Sequence, residues 1–188
     1  MIMVCGVDEA GRGPLAGSVF AAAVILDPSR PILGLKDSKK LSPKQLSSVY
    51  LDIMKCALEV SFATATPQEI DQINILQASL LAMKRAIYQL TNIPDRILID
   101  GQHCPDIQSM EMKAVVKGDA KHQEISAASI IAKVERDKYM LELDHQFPEY
   151  NFKQHKGYPT KEHIRLIRQF GVSPVHRKTF RPVSELLI

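Results

Sequence analysis

The chain has 188 residues, 45% hydrophobic and 24% charged, with a formal net charge of +3, enough apolar material for one compact core. No run approaches the roughly 18 apolar residues of a membrane span, and no basic stretch precedes an apolar N-terminal segment, so a cytoplasmic protein is expected and a membrane-bound or secreted one is not. Three cysteines, Cys5, Cys56 and Cys104, are odd in number and lack metal-ligand spacing, which argues against a disulfide framework or zinc site and for reduced thiols that serve as packing residues.

Residues 1–7 and 18–26 are short apolar runs bounded by Gly and Pro, the form of buried strands. The segment between them, DEAGRGPLAG, reads as a strand-end loop, and 27–41 as a polar connection. Ser42-Pro43-Lys44-Gln45 and Thr66-Pro67-Gln68-Glu69 each place a hydroxyl cap, a Pro at the first helical position and Gln or Glu three residues after the cap, predicting two helix starts. The first helix is expected to run to about Glu59, followed by a strand over 60–66. In the second, Ile70, Ile73, Leu76, Leu80, Met83 and Ile87 recur at steps of three and four, which predicts one buried stripe. Further strands are expected at 96–99, ending on Asp100-Gly101, and at 112–116, leading into KGDAK. Residues 124–140 are apolar around most of a helix, and a basic helix should follow Tyr158-Pro159-Thr160 and end near Gly171.

Charge is unevenly distributed. Residues 151–188 hold eight Lys or Arg against two acids, net +6, whereas the preceding 150 residues hold 16 basic and 19 acidic side chains. That asymmetry suits a body carrying a carboxylate site and a basic end that meets a polyanion.

Asp8, Asp100 and Asp119 each stand at or just beyond the C-terminal end of an apolar segment. In open α/β sheets this edge is where ligands bind. Converging carboxylates repel one another and hold protons more tightly unless cations neutralise them. A hard divalent ion such as Mg²⁺ takes oxygen ligands and keeps positions for water and phosphate. Two such ions about 3.5 to 4 Å apart activate water and stabilise the leaving oxygen of a phosphodiester. The acids thus permit phosphodiester hydrolysis, although composition does not prove it, since a strand-end Asp is more often a turn residue than a ligand. Asp8 and Glu9 are adjacent, and neighbours on a regular strand face opposite ways; for both to serve one cluster the strand is expected to break at Glu9, where Ala10-Gly11 follows. The loop Gly11-Arg12-Gly13-Pro14 offers backbone for close approach and a guanidinium for phosphate, but no P-loop pattern is present.

Six blocks carry a closer likeness: GVDEAGRGPLAG at 6–17, LKDSKKLS at 35–42, EIDQINILQAS at 69–79, ILIDG at 97–101, KGDAKHQEISAASIIAKVERD at 117–137 and HKGYPTKEH at 155–163. In this order they closely resemble bacterial ribonuclease HII of the type 2 ribonuclease H family. The resemblance implies an α/β, ribonuclease H-like fold with a mixed five-stranded sheet flanked by helices. It implies a catalytic domain over 1–150 and a small basic helical segment over 151–188. It further implies a monomeric endonuclease that hydrolyses RNA in RNA/DNA hybrids and incises 5′ to ribonucleotides embedded in duplex DNA, leaving 3′-hydroxyl and 5′-phosphate ends. By motif, Asp8, Glu9, Asp100 and Asp119 are the catalytic, metal-binding acids for Mn²⁺ or Mg²⁺, two ions during catalysis. Gly11, Arg12 and Gly13 would read the ribose 2′-hydroxyl and its phosphate, the group that distinguishes RNA from DNA, and Tyr158 would pack on the neighbouring deoxyribose. Lys39, Lys40 and Lys156 are expected phosphate contacts, Asp137 is expected to be structural, and His103 and His122 receive no role. The chain starts almost at its first strand, which favours the HII type over HIII with its long N-terminal extension. A catalytically silent nucleic-acid-binding domain fits the basic tail but not four intact acids, and type 1 ribonucleases H or transposase-like enzymes lack the DEAGRG block.

Overall fold

The computed structural model describes residues 2–35, 41–108 and 110–187. Five strands, β1 (Val4–Ala10), β2 (Val19–Ile25), β3 (Glu59–Ala65), β4 (Arg96–Asp100) and β5 (Met112–Val115), form one mixed sheet in the order β3-β2-β1-β4-β5. The β1/β2 and β2/β3 pairs are antiparallel, while β1/β4 and β4/β5 are parallel. The interior strand β2, between β3 and β1, is buried along its whole length, as expected of a strand covered on both faces.

Both predicted capping boxes form. Ser42 accepts from the Gln45 N–H and starts α1 (Pro43–Cys56); Thr66 accepts from the Glu69 N–H and starts α2 (Pro67–Tyr88). On one face, α2 covers Cys5, Val7, Ala21, Ala23, Ile97 and Ile99. On the other, α1 and α3 (Gln123–Gln146) cover Ala22 and Val24 with Val49, Ile53, Ile130 and Ile131. The α3 axis lies so close to β1 that a Cβ on Gly6 would sit 2.1 Å from the Glu124 carbonyl carbon. A third cluster joins the end of α3 to the C-terminal region, where α4 (Phe152–His155) and α5 (Lys161–Phe170) pack Phe152, Leu166 and Ile167 against Leu15, Ala16 and Met140.

Two expectations are corrected. The α2 stripe is not continuous, because Asn74 takes non-helical φ 68° and ψ 167°. Its side chain accepts from the Gln77 N–H at 3.1 Å, so Asn74 caps a second helical segment. The phase shifts there: Ile73 is exposed, while Ala78, Ser79, Ala82, Met83, Ala86 and Ile87 face the core. Nor does the first strand break at Glu9. It stays paired through Glu9↔Ala21 and Ala10↔Phe20.

Cys5, Cys56 and Cys104 are free thiols, and burial pushes Cys5 up to about 12. No helix among the described residues is long and apolar enough to cross a membrane.

Candidate active site

The parallel register of β1 and β4 pairs Val7 with Ile99, so the next residues, Asp8 and Asp100, come level at the C-terminal edge of the sheet. Strand alternation sends their neighbours apart. Asp8 is buried on the α3 face with Ser129 as a hydrogen-bonding neighbour. Glu9 lies on the α2 face, in a narrow cavity with Leu76, Ser79, Met83, Asp100 and His103. Asp119 arrives from a 3-10 turn, Gly118–Ala120, and is also buried. That turn is fixed to the strand end by the Gly118 N–H, which donates to Asp100 Oδ1 at 2.6 Å.

Asp100 links the two faces electrostatically. Burial first, then the charges of Glu9 and Asp100, holds the Asp8 carboxyl well above its ordinary range. Burial also raises Glu9, Arg12 partly offsets it, and Asp100 raises it again. Asp8 and Glu9 therefore share a site without facing the same way, because both meet the charge of Asp100 beyond the last strand residues. Glu9 Oε1 is 3.4 Å from the Arg12 guanidinium, and Glu9 Oε2 is buried with no hydrogen-bond partner among the described residues. Among the described residues no three acidic, His or Cys side chains already close around one point as a finished ligand set. Crowded, desolvated carboxylates with one unsatisfied buried oxygen are an oxygen donor set that a hard divalent cation relieves.

Beside the acids, Gly11 to Gly17 turn back from β1 to β2. Gly11 has φ +93°, and a Cβ there would lie 2.0 Å from Arg136 Nε. Gly13 differs: its φ is outside the positive range, and a Cβ would meet only Tyr158 Cε1 at 3.7 Å. Arg12, Gly13 and Tyr158 are all exposed. Tyr158 belongs to an arch tied to this loop by the Leu15 N–H, which donates to the Gly157 carbonyl at 2.7 Å. Lys156 is half-buried in the same arch, with its carbonyl bound by Arg136 at 3.1 Å. Lys39 and Lys40 lie outside the described residues. Asp137 pairs with Lys133 one turn back on α3 at 3.3 Å. His122 precedes α3 and borders a hollow with Asp119 and Lys121.

Two buried arginines were not foreseen as parts of this region. Arg177, counted among the basic residues expected to meet a polyanion, is fully buried and donates to the carbonyls of Gly11, Arg12 and Gly17 at 2.6, 2.8 and 3.0 Å. Arg136 donates to Ser18, Ala16 and Lys156 carbonyls. A third unforeseen group is a chain of imidazoles. His163 Nδ1 bonds the Tyr158 carbonyl at 3.0 Å, so that nitrogen carries the proton; its Nε2 faces His176 Nε2 at 3.0 Å and must accept. His176 Nδ1 then accepts from the Ser173 N–H and hydroxyl. Burial, followed by neighbouring imidazoles, lowers His163 to about 4 and His176 to about 3. Both rings are thus neutral braces of the Tyr158 backbone. The spacing of His163 and His176 matches no ligand motif, and the partners of both arginines are carbonyls, which every residue has, with Met140 Sδ at 3.6 Å as a further partner of Arg136.

A five-stranded mixed sheet with carboxylates at the ends of its first and fourth strands defines the ribonuclease H class of fold. The ribonuclease H2 of Pyrococcus horikoshii OT3 superposes with a TM-score of 0.81 at 28% identity, covering 98% of this chain and 97% of that one. The ribonuclease HII in the PCNA:RNase HII complex from Archaeoglobus fulgidus gives 0.81 at 25% identity, over 96% of both chains. Bst-RNase HIII, solved in complex with Mn²⁺, shares the fold with a TM-score of 0.73 at 18% identity, over 98% of this chain and 69% of that one. The family model for ribonuclease HII matches residues 5–183, and the chain belongs to that family. It is accordingly a ribonuclease H, a metal-dependent endonuclease acting on RNA/DNA hybrids.

Proposed function

We propose that the chain incises duplex DNA on the 5′ side of an embedded ribonucleotide, as well as RNA in hybrids, leaving 3′-hydroxyl and 5′-phosphate ends. The observation that carries this reading is Gly13. Nothing in the fold demands a glycine there, since its φ is ordinary and a Cβ would make only van der Waals contact with Tyr158. The missing side chain instead leaves exposed backbone directly beside an exposed aromatic face, next to the acids. A sugar can lie across that surface: loop N–H groups can meet the 2′-hydroxyl and the ring of Tyr158 can cover the adjoining deoxyribose.

In this reading Asp8, Glu9, Asp100 and Asp119 would hold Mg²⁺ or Mn²⁺, two ions during catalysis, whose chemistry is to acidify water and to stabilise charge on the leaving oxygen. Arg12, half-exposed at the loop tip, can exchange its 3.4 Å contact with Glu9 for a substrate phosphate. Lys39, Lys40 and Lys156 serve as further phosphate contacts. A catalytically silent binding domain has no use for buried carboxylates held in mutual repulsion.

The test is a labelled duplex carrying one ribonucleotide, incubated with Mg²⁺ or Mn²⁺ and with EDTA. The expected result is a single nick 5′ to the ribonucleotide, abolished by EDTA, with an all-DNA duplex left intact. Equal cutting of the all-DNA duplex would overturn the assignment.

A further inference from the structure

The loop that contains Gly11, Arg12 and Gly13 is held from inside by a residue 160 or more positions away. Arg177 is fully buried, and the hydrogen-bond partners of its guanidinium are all main-chain carbonyls: Gly11 by one terminal nitrogen at 2.6 Å, Arg12 by the other at 2.8 Å, and Gly17 by Nε at 3.0 Å. A desolvated cation is tolerated only if its donors are well satisfied, and the fixed planar fork of a guanidinium demands that its acceptors sit in fixed places. The loop carbonyls are therefore held inward.

The planar trans peptide then dictates what faces out. In each such unit C=O and N–H point in opposite directions. With the Gly11 carbonyl turned in to Arg177, the Arg12 N–H is turned out; with the Arg12 carbonyl turned in, the Gly13 N–H is turned out. Residue 14 is Pro and has no N–H, so the outward pair consists of these two donors. Among the described residues neither finds an acceptor within the chain.

The guanidinium is itself fixed by its own backbone. Asp71 Oδ2 accepts from the Lys178 N–H at 2.9 Å, and Oδ1 accepts from the Thr179 N–H at 2.9 Å and the Thr179 hydroxyl at 2.7 Å. The Arg177 N–H donates to the Leu15 carbonyl at 2.8 Å, and Ala16 bridges His176. The first half of α2, the C-terminal strap and the loop thus form one braced unit.

We infer that Arg177 is a positioning residue for sugar recognition, turning the Arg12 and Gly13 N–H groups toward the ribose 2′-hydroxyl. This rests on the reading of the loop given under the proposed function. Arg177 touches neither substrate nor metal; it acts by removing the freedom of two peptide units to rotate.

The test compares binding of a single-ribonucleotide duplex and an all-DNA duplex of the same sequence, in Ca²⁺ to suppress cleavage, by wild type and Arg177→Lys. Lys retains the charge but cannot span three separated carbonyls in one plane. The variant should bind the all-DNA duplex within twofold of wild type and lose about tenfold or more of its preference for the ribonucleotide, the loss of one or two hydrogen bonds. A purely structural defect would weaken both duplexes alike. Should Arg177→Lys fail to fold, Asp71→Asn, at a half-buried site that only steadies the strap, is expected to lower the same preference by a smaller factor while Mn²⁺ titration of the protein is unchanged. Undiminished preference in the folded variant overturns the role of Arg177 and leaves the loop reading intact. Absence of any preference in wild type overturns the loop reading, and the role of Arg177 with it.

Discussion

Replacing each glycine of the loop by alanine separates what the fold requires from what the substrate requires. At Gly11 the two structural terms add. A Cβ in the φ +93° conformation costs about 1 to 2 kcal/mol, and forcing it to 2.0 Å from a buried Arg136 adds overpacking of about 1 to 3 kcal/mol. Gly11→Ala should therefore lose about 2 to 5 kcal/mol of folding stability, a large share of the whole for a domain of this size. At Gly13 neither term applies: the φ is outside the positive range and the nearest atom to a Cβ is 3.7 Å away. Restricting the unfolded chain should even stabilise Gly13→Ala by about 0.4 to 1 kcal/mol. Its added methyl stands on the exposed loop surface against Tyr158, where the sugar is proposed to lie, so cleavage beside a lone ribonucleotide should fall by about a hundredfold, the loss of about 3 kcal/mol of transition-state binding. Urea unfolding with single-turnover cleavage of the same preparations gives both quantities. A Gly13→Ala protein that is stable and fully active would refute the substrate role of that position; a stable Gly11→Ala protein would refute the packing argument.

Asp8→Asn should lower Mg²⁺-supported turnover by about a thousandfold, about 4 kcal/mol, yet raise the melting temperature in EDTA, because the carboxylate it removes is buried beside Glu9 and Asp100; a variant that melts lower in EDTA contradicts the repulsion described. Tyr158→Ala should reduce discrimination between ribonucleotide and all-DNA junctions more than it alters the Mg²⁺ concentration for half-maximal rate, which metal titration of cleavage measures. The paired imidazoles predict a pH dependence. His163 and His176 have folded values of about 4 and about 3, below the unfolded value of about 6.5, so the unfolded chain takes up protons first. Stability should be full above about pH 6.5 and fall by about 2 kcal/mol per imidazole on reaching pH 5. Glu59 and Glu69, held at about 2 by their hydrogen bonds, have depressed values and lose their contribution only as pH falls below 4.5, so the two effects occupy different windows. Unfolding midpoints at pH 7 and pH 5 are best compared in an Asp8→Asn, Glu9→Gln background, since both raised carboxylates titrate with the opposite sign. A flat profile would mean that the imidazoles are not held neutral.

Signals that depend on neighbours in sequence were readable; those that depend on distant backbone were not. Ser42 and Thr66 announced their helices because the cap, the Pro and the third-position Gln or Glu are local chemistry. The acids stood out because an Asp after an apolar strand occupies a definite place in an α/β sheet. Asn74 leaves no mark in the pattern, because Ile73 and Leu76 on either side of it keep a step of three even though the helix restarts between them. The supposed break at Glu9 came from requiring both acids on one face. At the end of a strand the two faces meet, and Asp100 on the next strand is reached from either. Arg177 looked like one more surface cation in a basic tail, since nothing in a sequence marks an arginine whose partners are carbonyls.

The C-terminal strap has a consequence for biosynthesis. The carboxylates are contributed by residues 8 to 119, whereas the loop carbonyls of Gly11 and Arg12 are bound by a side chain separated from them by 166 and 165 residues. Contacts of such sequence separation close late, after the local and mid-range structure that shortens the intervening path. A growing chain can thus assemble its sheet and its acid edge while the sugar-facing amides still rotate freely. On the proposed reading of the loop, discrimination is acquired only when the segment around Arg177 docks, after the acid edge is in place.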